Sequence, residues 1–103
     1  MDRFSLRKVV EVSSKTSEIM DILQEECAEV IQAVSKCRRF GIDNYKPGKP
    51  KSNREHLEDE LGDLLAMIDI LIEDSVVSYD NLIVAKAAKI EKLKKGSKIY
   101  EQN

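Results

Sequence analysis

Two pairs of acidic residues fall on the apolar faces of two predicted helices, at positions where core side chains are expected. Successive helical residues advance about 100°, so Glu26 lies in the middle of one face and Glu29 lies about 60° to its side, roughly one turn further along. Glu60 and Asp63 stand in the same relation on the second face. The apolar residues of the two faces are Ile19, Ile22, Leu23, Val30, Ala33, Val34 and Cys37, and Leu57, Leu64, Met67, Ile68 and Leu71. Each helix is therefore expected to aim a carboxylate pair at the core.

Four ionised carboxylates in one core carry a large penalty from desolvation and mutual repulsion. Either their pKa values rise or cations neutralise them, and an oxygen-lined cation site is the simpler arrangement. Mg²⁺, with Mn²⁺ as a substitute, suits such a site because it accepts carboxylate, water and phosphate oxygens together. We therefore predict Glu26, Glu29, Glu60 and Asp63 as metal ligands. The alternative is a shifted helical phase, in which these acids form surface ion pairs.

Glu25 lies four residues before Glu29 and points to the same flank of the first helix. It is a candidate outer ligand, or a base that orients an attacking water, and an ordinary solvent-facing acid is the competing interpretation. Glu25 and Glu26 are accordingly the predicted catalytic residues.

Lysines at helical positions favour a polyanionic substrate. Lys86 lies at the centre of the apolar face of a third helix, with Lys89 about 60° to its side, and Lys36 lies on the Glu29 flank of the first helix. We predict that these three lysines bind substrate phosphates. The alternative for Lys86 and Lys89 is that they extend to water at the rim of a dimer. The lysines of the loop over 46–51 are candidates for a lid over the substrate.

Other chemically active side chains give weaker signals. His56 lies one turn before Glu60, and a solvated residue at a helix start is a simpler interpretation than a base-contacting one. Cys27 and Cys37 lie about 15 Å apart along one helix and cannot pair within it. We expect both to be buried or half-buried reduced thiols. The tyrosines and phenylalanines are too scattered to nominate a base-stacking residue.

Helix boundaries follow from capping residues. The first helix is predicted over 14–40, with serines before it and Gly41 after it. A loop with two prolines and two glycines covers 41–53, and the run from Ser52 to Glu55 fits a capping box that opens the second helix. That helix is predicted to reach about Val76.

The third helix begins after Ser78 and ends near Lys95, with Gly96 past its end and a tail over 96–103. Residues 1–13 are either an extended arm or a helical lead-in. The chain is therefore predicted as a single all-α domain, an antiparallel helical hairpin plus a third helix. Since the second helix is apolar almost all round over 64–72, we expect a four-helix-type bundle built by a homodimer or homotetramer.

Composition narrows the function. The 103 residues include 19 acidic and 17 basic ones, a net charge of −2 that disfavours nucleic acid and anionic membranes as partners. The first twenty residues contain no apolar stretch of signal-peptide type, and no run reaches membrane length. We expect a cytoplasmic protein with reduced cysteines.

The acidic residues also match a known pattern. Glu25-Glu26-Cys27-Ala28-Glu29, followed by Glu60-Leu61-Gly62-Asp63, resembles the EExxE and ExxD motifs of the MazG-like, all-α nucleoside triphosphate pyrophosphohydrolases, which include dimeric dUTPases. The resemblance covers roughly 14–95, and the size of the chain looks like that of the compact single-domain members, including ones carried by phages. It implies magnesium-dependent hydrolysis between the α- and β-phosphates, with the four predicted ligands holding metal and Glu25 assisting. The loop over 41–53 lengthens the usual spacing between the two motifs.

Three other functions compete with this one. The first is hydrolysis of an alarmone or of another phosphoanhydride. The second is a non-catalytic helical interaction module that retains a structural cation. A di-iron carboxylate bundle requires Glu-x-x-His pairs, and the residue three before His56 is Asn53, which excludes it.

Overall fold

The structure, a computed structural model, describes residues 13–101, and the predicted arm over 1–13 lies almost entirely outside them. Three helices account for the regular structure of this part of the chain: α1 (Ser14–Phe40), α2 (Asn53–Glu73) and α3 (Tyr79–Gly96). An isolated bridge pairs Tyr45 with Ser52 in the loop between α1 and α2. The predicted all-α fold is confirmed.

α1 has the predicted bounds because both of its ends are capped. The Ser13 hydroxyl accepts a hydrogen bond from the Thr16 amide at 3.1 Å, which satisfies one of the free donors of the first turn. At the other end the Gly41 amide donates to the Cys37 carbonyl at 3.0 Å. Gly41 has φ +96°, a conformation that strains any residue with a Cβ atom, so the chain leaves the helix there.

α2 opens with the predicted capping box. The Glu55 amide donates to the Ser52 hydroxyl at 3.2 Å, and the Ser52 amide donates to the Glu55 carboxylate at 3.1 Å. Two free donors are thus satisfied reciprocally, with Ser52 itself buried. This start positions the first turns of α2 against α1.

α2 ends at Glu73 rather than near Val76, which corrects the predicted bound. Ser75 has φ +58°, which breaks the helix, and the amides of Val76 and Val77 both turn back to the Leu71 carbonyl. The two valines pack against the core from this turn. Val76 and Val77 continue the apolar pattern of the helix in sequence, but they pack against the core from the turn that follows it.

α1 and α2 form an antiparallel hairpin. Lys15 pairs with Asp74 at the open end, and the Cys37 thiol donates to the Asn53 carbonyl at the loop end. The apolar core is small and lies towards the open end, where the buried residues are Ile19, Met67 and Leu71, with Ile22, Leu23, Ile70, Val76 and Val77 packed around them. In the half of the hairpin nearer the loop, the buried residues are the small Ala33 and the polar Ser52 and Asn53.

α3 takes little part in this packing. It begins as predicted after Ser78, whose hydroxyl accepts from the Asn81 amide, and it includes Gly96 as its last residue. No residue of α3 is buried, and α1 with α2 is the one extensive helix pair within residues 13–101. The molecule consequently extends to 56 × 39 × 25 Å. Every helix in this part of the chain is too short or too polar to cross a membrane.

Candidate metal centre

Glu26 occupies the buried stripe of α1. Ile19 and Ala33 lie seven residues before and after it, and both are buried, at 6% and 0% exposure. Residues seven apart lie on nearly the same side of a helix, so the Glu26 side chain must leave α1 towards α2. The carboxylate is therefore held by the packing of its neighbours.

Glu60 occupies the equivalent place on α2. Asn53 and Met67 lie seven residues to either side of it and are buried. The Glu60 side chain is 15% exposed. Each helix thus has a buried stripe with a glutamate in the middle.

One oxygen from each of Glu26, Glu60 and Asp63 lies within 4.8 Å of the other two. Glu26 and Glu60 are half-buried, whereas Asp63 is exposed. We call these three residues the acid centre. Its oxygens are the hard donors that Mg²⁺ and Mn²⁺ prefer, and its exposed edge admits a ligand from solvent.

The electrostatics of Glu26 fit a cation. Burial raises the pKa of Glu26 above its ordinary value, and the charges of Asp63, Glu60, Glu29 and Glu25 raise it further, in that order. Its Oε2 atom is buried and accepts no hydrogen bond from the residues that the structure describes. A buried acceptor without a donor is unfavourable, so this oxygen suits coordination by a metal ion.

Glu29 and Glu25 lie at the edge of the acid centre. Both are exposed, and neither contributes an oxygen to the group of three, although both charges act on Glu26. The structure therefore brings together three of the four predicted ligands. The ligand role of Glu29 and the catalytic role of Glu25 stay predictions.

His56 contacts the acid centre. From sequence it was interpreted as a solvated residue at the start of a helix, an interpretation that includes no such contact. Its Nε2 atom lies 3.3 Å from Glu60 Oε1, with the imidazole 34% exposed. Such a partner restricts the orientation of a coordinating carboxylate. The spacing of four residues from Glu60 on one helix was the sequence signal for this contact.

Two cavities lie at the loop end of the hairpin. The larger, of about 360 Å³, is the aromatic cavity, and it is lined by Lys36, Phe40, Asn44, Tyr45, Lys46, Pro47 and Asn53. The smaller, of about 250 Å³, is the lysine cavity, and it is lined by Lys36, Lys46, Lys49, Pro50, Lys51, Asn53 and His56. The two share three residues and therefore adjoin, and His56 connects the lysine cavity to the acid centre.

The loop that walls these cavities is tied to the start of α2. The Asn53 amide donates to the Asn44 carbonyl at 2.8 Å, and the Arg54 amide donates to the Ile42 carbonyl at 2.7 Å. Arg54 also pairs with Asp43 at 2.9 Å, and this hydrogen bond lowers the pKa of Asp43. The loop thus has a defined position beside α2.

The predicted phosphate-binding lysines separate into two groups. Lys36 lines both cavities. The loop lysines, which are the candidates for a lid, line the lysine cavity with it, and they are Lys46, Lys49 and Lys51. Lys86 and Lys89 are exposed on α3 and line neither cavity. Within residues 13–101, α3 packs little against the hairpin and has no buried residue, so the substrate role of Lys86 and Lys89 stays a prediction.

The cysteines differ from expectation in one respect. Cys27 is exposed, which corrects the predicted burial, whereas Cys37 is half-buried. Cys27 follows Glu26 directly, so the helical rotation of about 100° turns it away from the buried stripe. Both thiols are free.

A comparison with protein-family models identifies the family of this chain. The MazG nucleotide pyrophosphohydrolase domain matches residues 3–95. Searches of the curated proteins and of the solved structures found no match to this chain. The family match spans both acidic motifs, the loop between them and almost all of α3, and the chain therefore belongs to the MazG nucleotide pyrophosphohydrolase family.

Proposed function

We propose that this chain hydrolyses nucleoside triphosphates between the α- and β-phosphates, with Mg²⁺ as cofactor and Mn²⁺ as a substitute. The products are a nucleoside or deoxynucleoside monophosphate and pyrophosphate, a reaction that serves to clean the nucleotide pool. The observation that carries the proposal is the acid centre of a family member, with the buried Glu26 oxygen that no other described residue satisfies.

Glu26, Glu60 and Asp63 would hold the metal, with Glu29 as a fourth ligand. When bound there, Mg²⁺ supplies positive charge for the phosphate oxygens and lowers the pKa of a water molecule. Two of these three carboxylates, those of Glu26 and Glu60, hold their positions because they are anchored on the buried stripes of the hairpin. The positive charge of the metal would offset the repulsion from neighbouring carboxylates that, together with burial, raises the pKa of Glu26.

The attacking water adds its oxygen to a phosphorus of the α–β anhydride, and the bond from that phosphorus to the bridging oxygen breaks. Glu25 accepts the proton of the water. Its exposed position beside the acid centre leaves it in reach of solvent, and its charge already acts on Glu26. Glu25 therefore acts as the base while Glu26 orients the reacting groups as a ligand.

We also propose that the active form is a homodimer or homotetramer. Large apolar side chains are exposed on all three helices, including Ile31 at 69%, Leu65 at 63% and Val84 at 70%. Surfaces of this kind are covered in stable proteins, and a second copy is a natural cover. In such an assembly, Lys86 and Lys89 of one copy would be able to bind substrate phosphates at the acid centre of another copy.

A panel of ribo- and deoxynucleoside triphosphates, incubated with Mg²⁺ and separated by ion-exchange chromatography, tests the reaction. We expect monophosphate and pyrophosphate in equal amounts. Diphosphate and inorganic phosphate, or no turnover of any nucleotide, would contradict the proposal. An alarmone substrate would then be the next candidate to assay.

A further inference from the structure

The aromatic cavity combines features that the acid centre does not use. Phe40 at the end of α1 and Tyr45 in the loop are both 54% exposed, and both line this cavity together with Pro47. They lie five residues apart in sequence, with a glycine turn between them, so the sequence pattern alone did not bring them together. The bridge between Tyr45 and Ser52 and the bond from Asn53 to Asn44 hold the loop in this shape.

Arg39 supports one of these rings from outside the cavity. Its guanidinium lies 4.9 Å from the centroid of the Phe40 ring, and Arg39 does not line the cavity. This contact favours a fixed position of the ring. The cavity volume of about 360 Å³ lies within the range of about 300–1,000 Å³ that is typical of small-molecule pockets.

The polar groups of this cavity are mostly engaged in holding the loop. Asn44 donates through Nδ2 to the Phe40 carbonyl and accepts from the Tyr45 amide through Oδ1. Asn53 donates through Nδ2 to the Gly41 carbonyl at 2.9 Å. The side chains left to meet a ligand are the aromatic rings, the Asn53 oxygen and the flexible ammonium groups of Lys36 and Lys46.

The position of the cavity relative to the acid centre suits a nucleoside. Asn53, which lines it, lies seven residues before Glu60 on α2, a rise of about 10 Å. A phosphate at the acid centre therefore leaves room for an attached sugar along the lysine cavity and for a base beyond it. Flat aromatic walls are the usual means of holding a base by its π-face.

From these observations we infer that Phe40 and Tyr45 form the nucleobase pocket of the enzyme and hold the base by stacking. This inference rests on the proposed function, because it takes the substrate to be a nucleotide. Since the pocket has few free edge-reading groups, the four bases bind with affinities within about tenfold of one another. The enzyme would accordingly accept a range of nucleotides.

Calorimetric titration with nucleoside 5′-monophosphates, and separately with inorganic pyrophosphate, tests the pocket without requiring turnover. Tyr45→Ala and Phe40→Ala should each weaken monophosphate binding by roughly 5- to 100-fold, the cost of one lost stacking contact. Tyr45→Phe, which retains the ring, should bind as the wild type does. Tyr100→Ala, which removes an exposed tyrosine outside both cavities, is the matched control and should change nothing.

Pyrophosphate binding should be the same in all of these variants. Unchanged monophosphate binding in both alanine variants would overturn the pocket, and so would a loss of pyrophosphate binding, since the groove would then hold phosphates. A spread beyond about tenfold among the four bases would overturn recognition by stacking. Should Tyr45→Ala fail to fold, Tyr45→Leu keeps the bulk of the side chain without its π-face, and the same loss is expected.

The outcome separates this inference from the proposed function. A chain that binds monophosphates through Tyr45 but hydrolyses no nucleotide would refute the reaction and keep the pocket. A chain that hydrolyses nucleoside triphosphates with an unchanged KM in Tyr45→Ala and Phe40→Ala would refute the pocket and keep the reaction.

Discussion

Among the acidic residues that the structure describes, Glu26 is the one whose surroundings clearly oppose its own charge. Burial and four neighbouring carboxylates raise its pKa above the ordinary value of 4.5. A carboxyl group whose pKa is higher in the folded state than in the unfolded state holds its proton more tightly when folded. Its ionisation therefore lowers the free energy of unfolding as the pH rises from about 4.5 through the higher folded value.

Glu26→Gln should consequently raise the melting temperature at pH 7 in the absence of divalent cations. The gain over the wild type should shrink at pH 4, where the wild-type carboxyl is itself largely protonated. Thermal melts in EDTA at the two pH values measure this difference. Glu18→Gln, a change at an exposed position of α1, is the control, and an equal gain at both pH values would contradict the sign of the shift.

His56 should matter through Glu60 rather than through the substrate. Removing the partner of a coordinating carboxylate typically lowers metal affinity or activity by about 10- to 100-fold. His56→Ala should therefore raise the Mg²⁺ concentration required for half-maximal activity by about tenfold. His56→Gln retains a side-chain donor and should lie between this variant and the wild type. An unchanged Mg²⁺ requirement in His56→Ala would show that the contact at 3.3 Å has no role.

At this scale, helical periodicity predicted the positions of Glu26 and Glu60 because both lie on stripes that local geometry defines. It did not predict that Phe40 and Tyr45 line one cavity, because the loop is shaped by its pairing with Asn53 and Ser52 at the start of α2. The burial of Cys27 was also predicted wrongly, because one residue further along the helix turns a side chain by about 100° and so from a buried to an exposed position.

At the scale of elements, the start of α2 determines where two residues of the acid centre lie. Its capping box, formed by Ser52 and Glu55, fixes where the helix begins and so where Glu60 and Asp63 point. The α1 bounds and this box were predictable from the sequence because caps are local features. The end of α2 was not, because Val76 and Val77 reach the core through a turn at Ser75.

Ser52→Ala should lower the free energy of unfolding by about 1 kcal/mol, the typical effect of losing a helix cap. Ser78→Ala removes the equivalent cap from α3, which packs little against the hairpin, so its effect on the same transition should be smaller. Urea unfolding followed by circular dichroism compares the two variants. Equal losses would show that α3 unfolds together with the hairpin.

At the scale of the whole molecule, residues 13–101 leave much apolar surface exposed. Their core comprises few buried residues, whereas Ile31 and Leu65 are exposed on the hairpin. The nearly all-round apolar surface of the second helix over 64–72 predicted from sequence that a second copy covers it, and this assembly stays a prediction. The sequence pattern did not predict that α3 would pack so little against the hairpin. An amphipathic helix has the same sequence pattern whether its apolar face packs against the same chain or against another copy.

Light scattering coupled to size exclusion should therefore give a mass of at least twice 11.7 kDa. Ile31→Glu and Leu65→Glu place a charge on the exposed apolar surface, and at least one of them should shift the mass towards the monomer. Gln32→Glu adds the same charge at a neighbouring exposed polar position and should leave the mass unchanged. A wild-type mass of 11.7 kDa would contradict the proposed assembly.

The central claim is that the acid centre performs metal-dependent hydrolysis. Its most direct test is pyrophosphate release from nucleoside triphosphates during Mg²⁺ titration, with Glu60→Gln beside Glu58→Gln, an exposed glutamate two residues away on the same helix. We predict release that rises with Mg²⁺, stops in EDTA, disappears in Glu60→Gln and persists in Glu58→Gln. Release that survives EDTA, or that is equal in the two variants, would contradict the account.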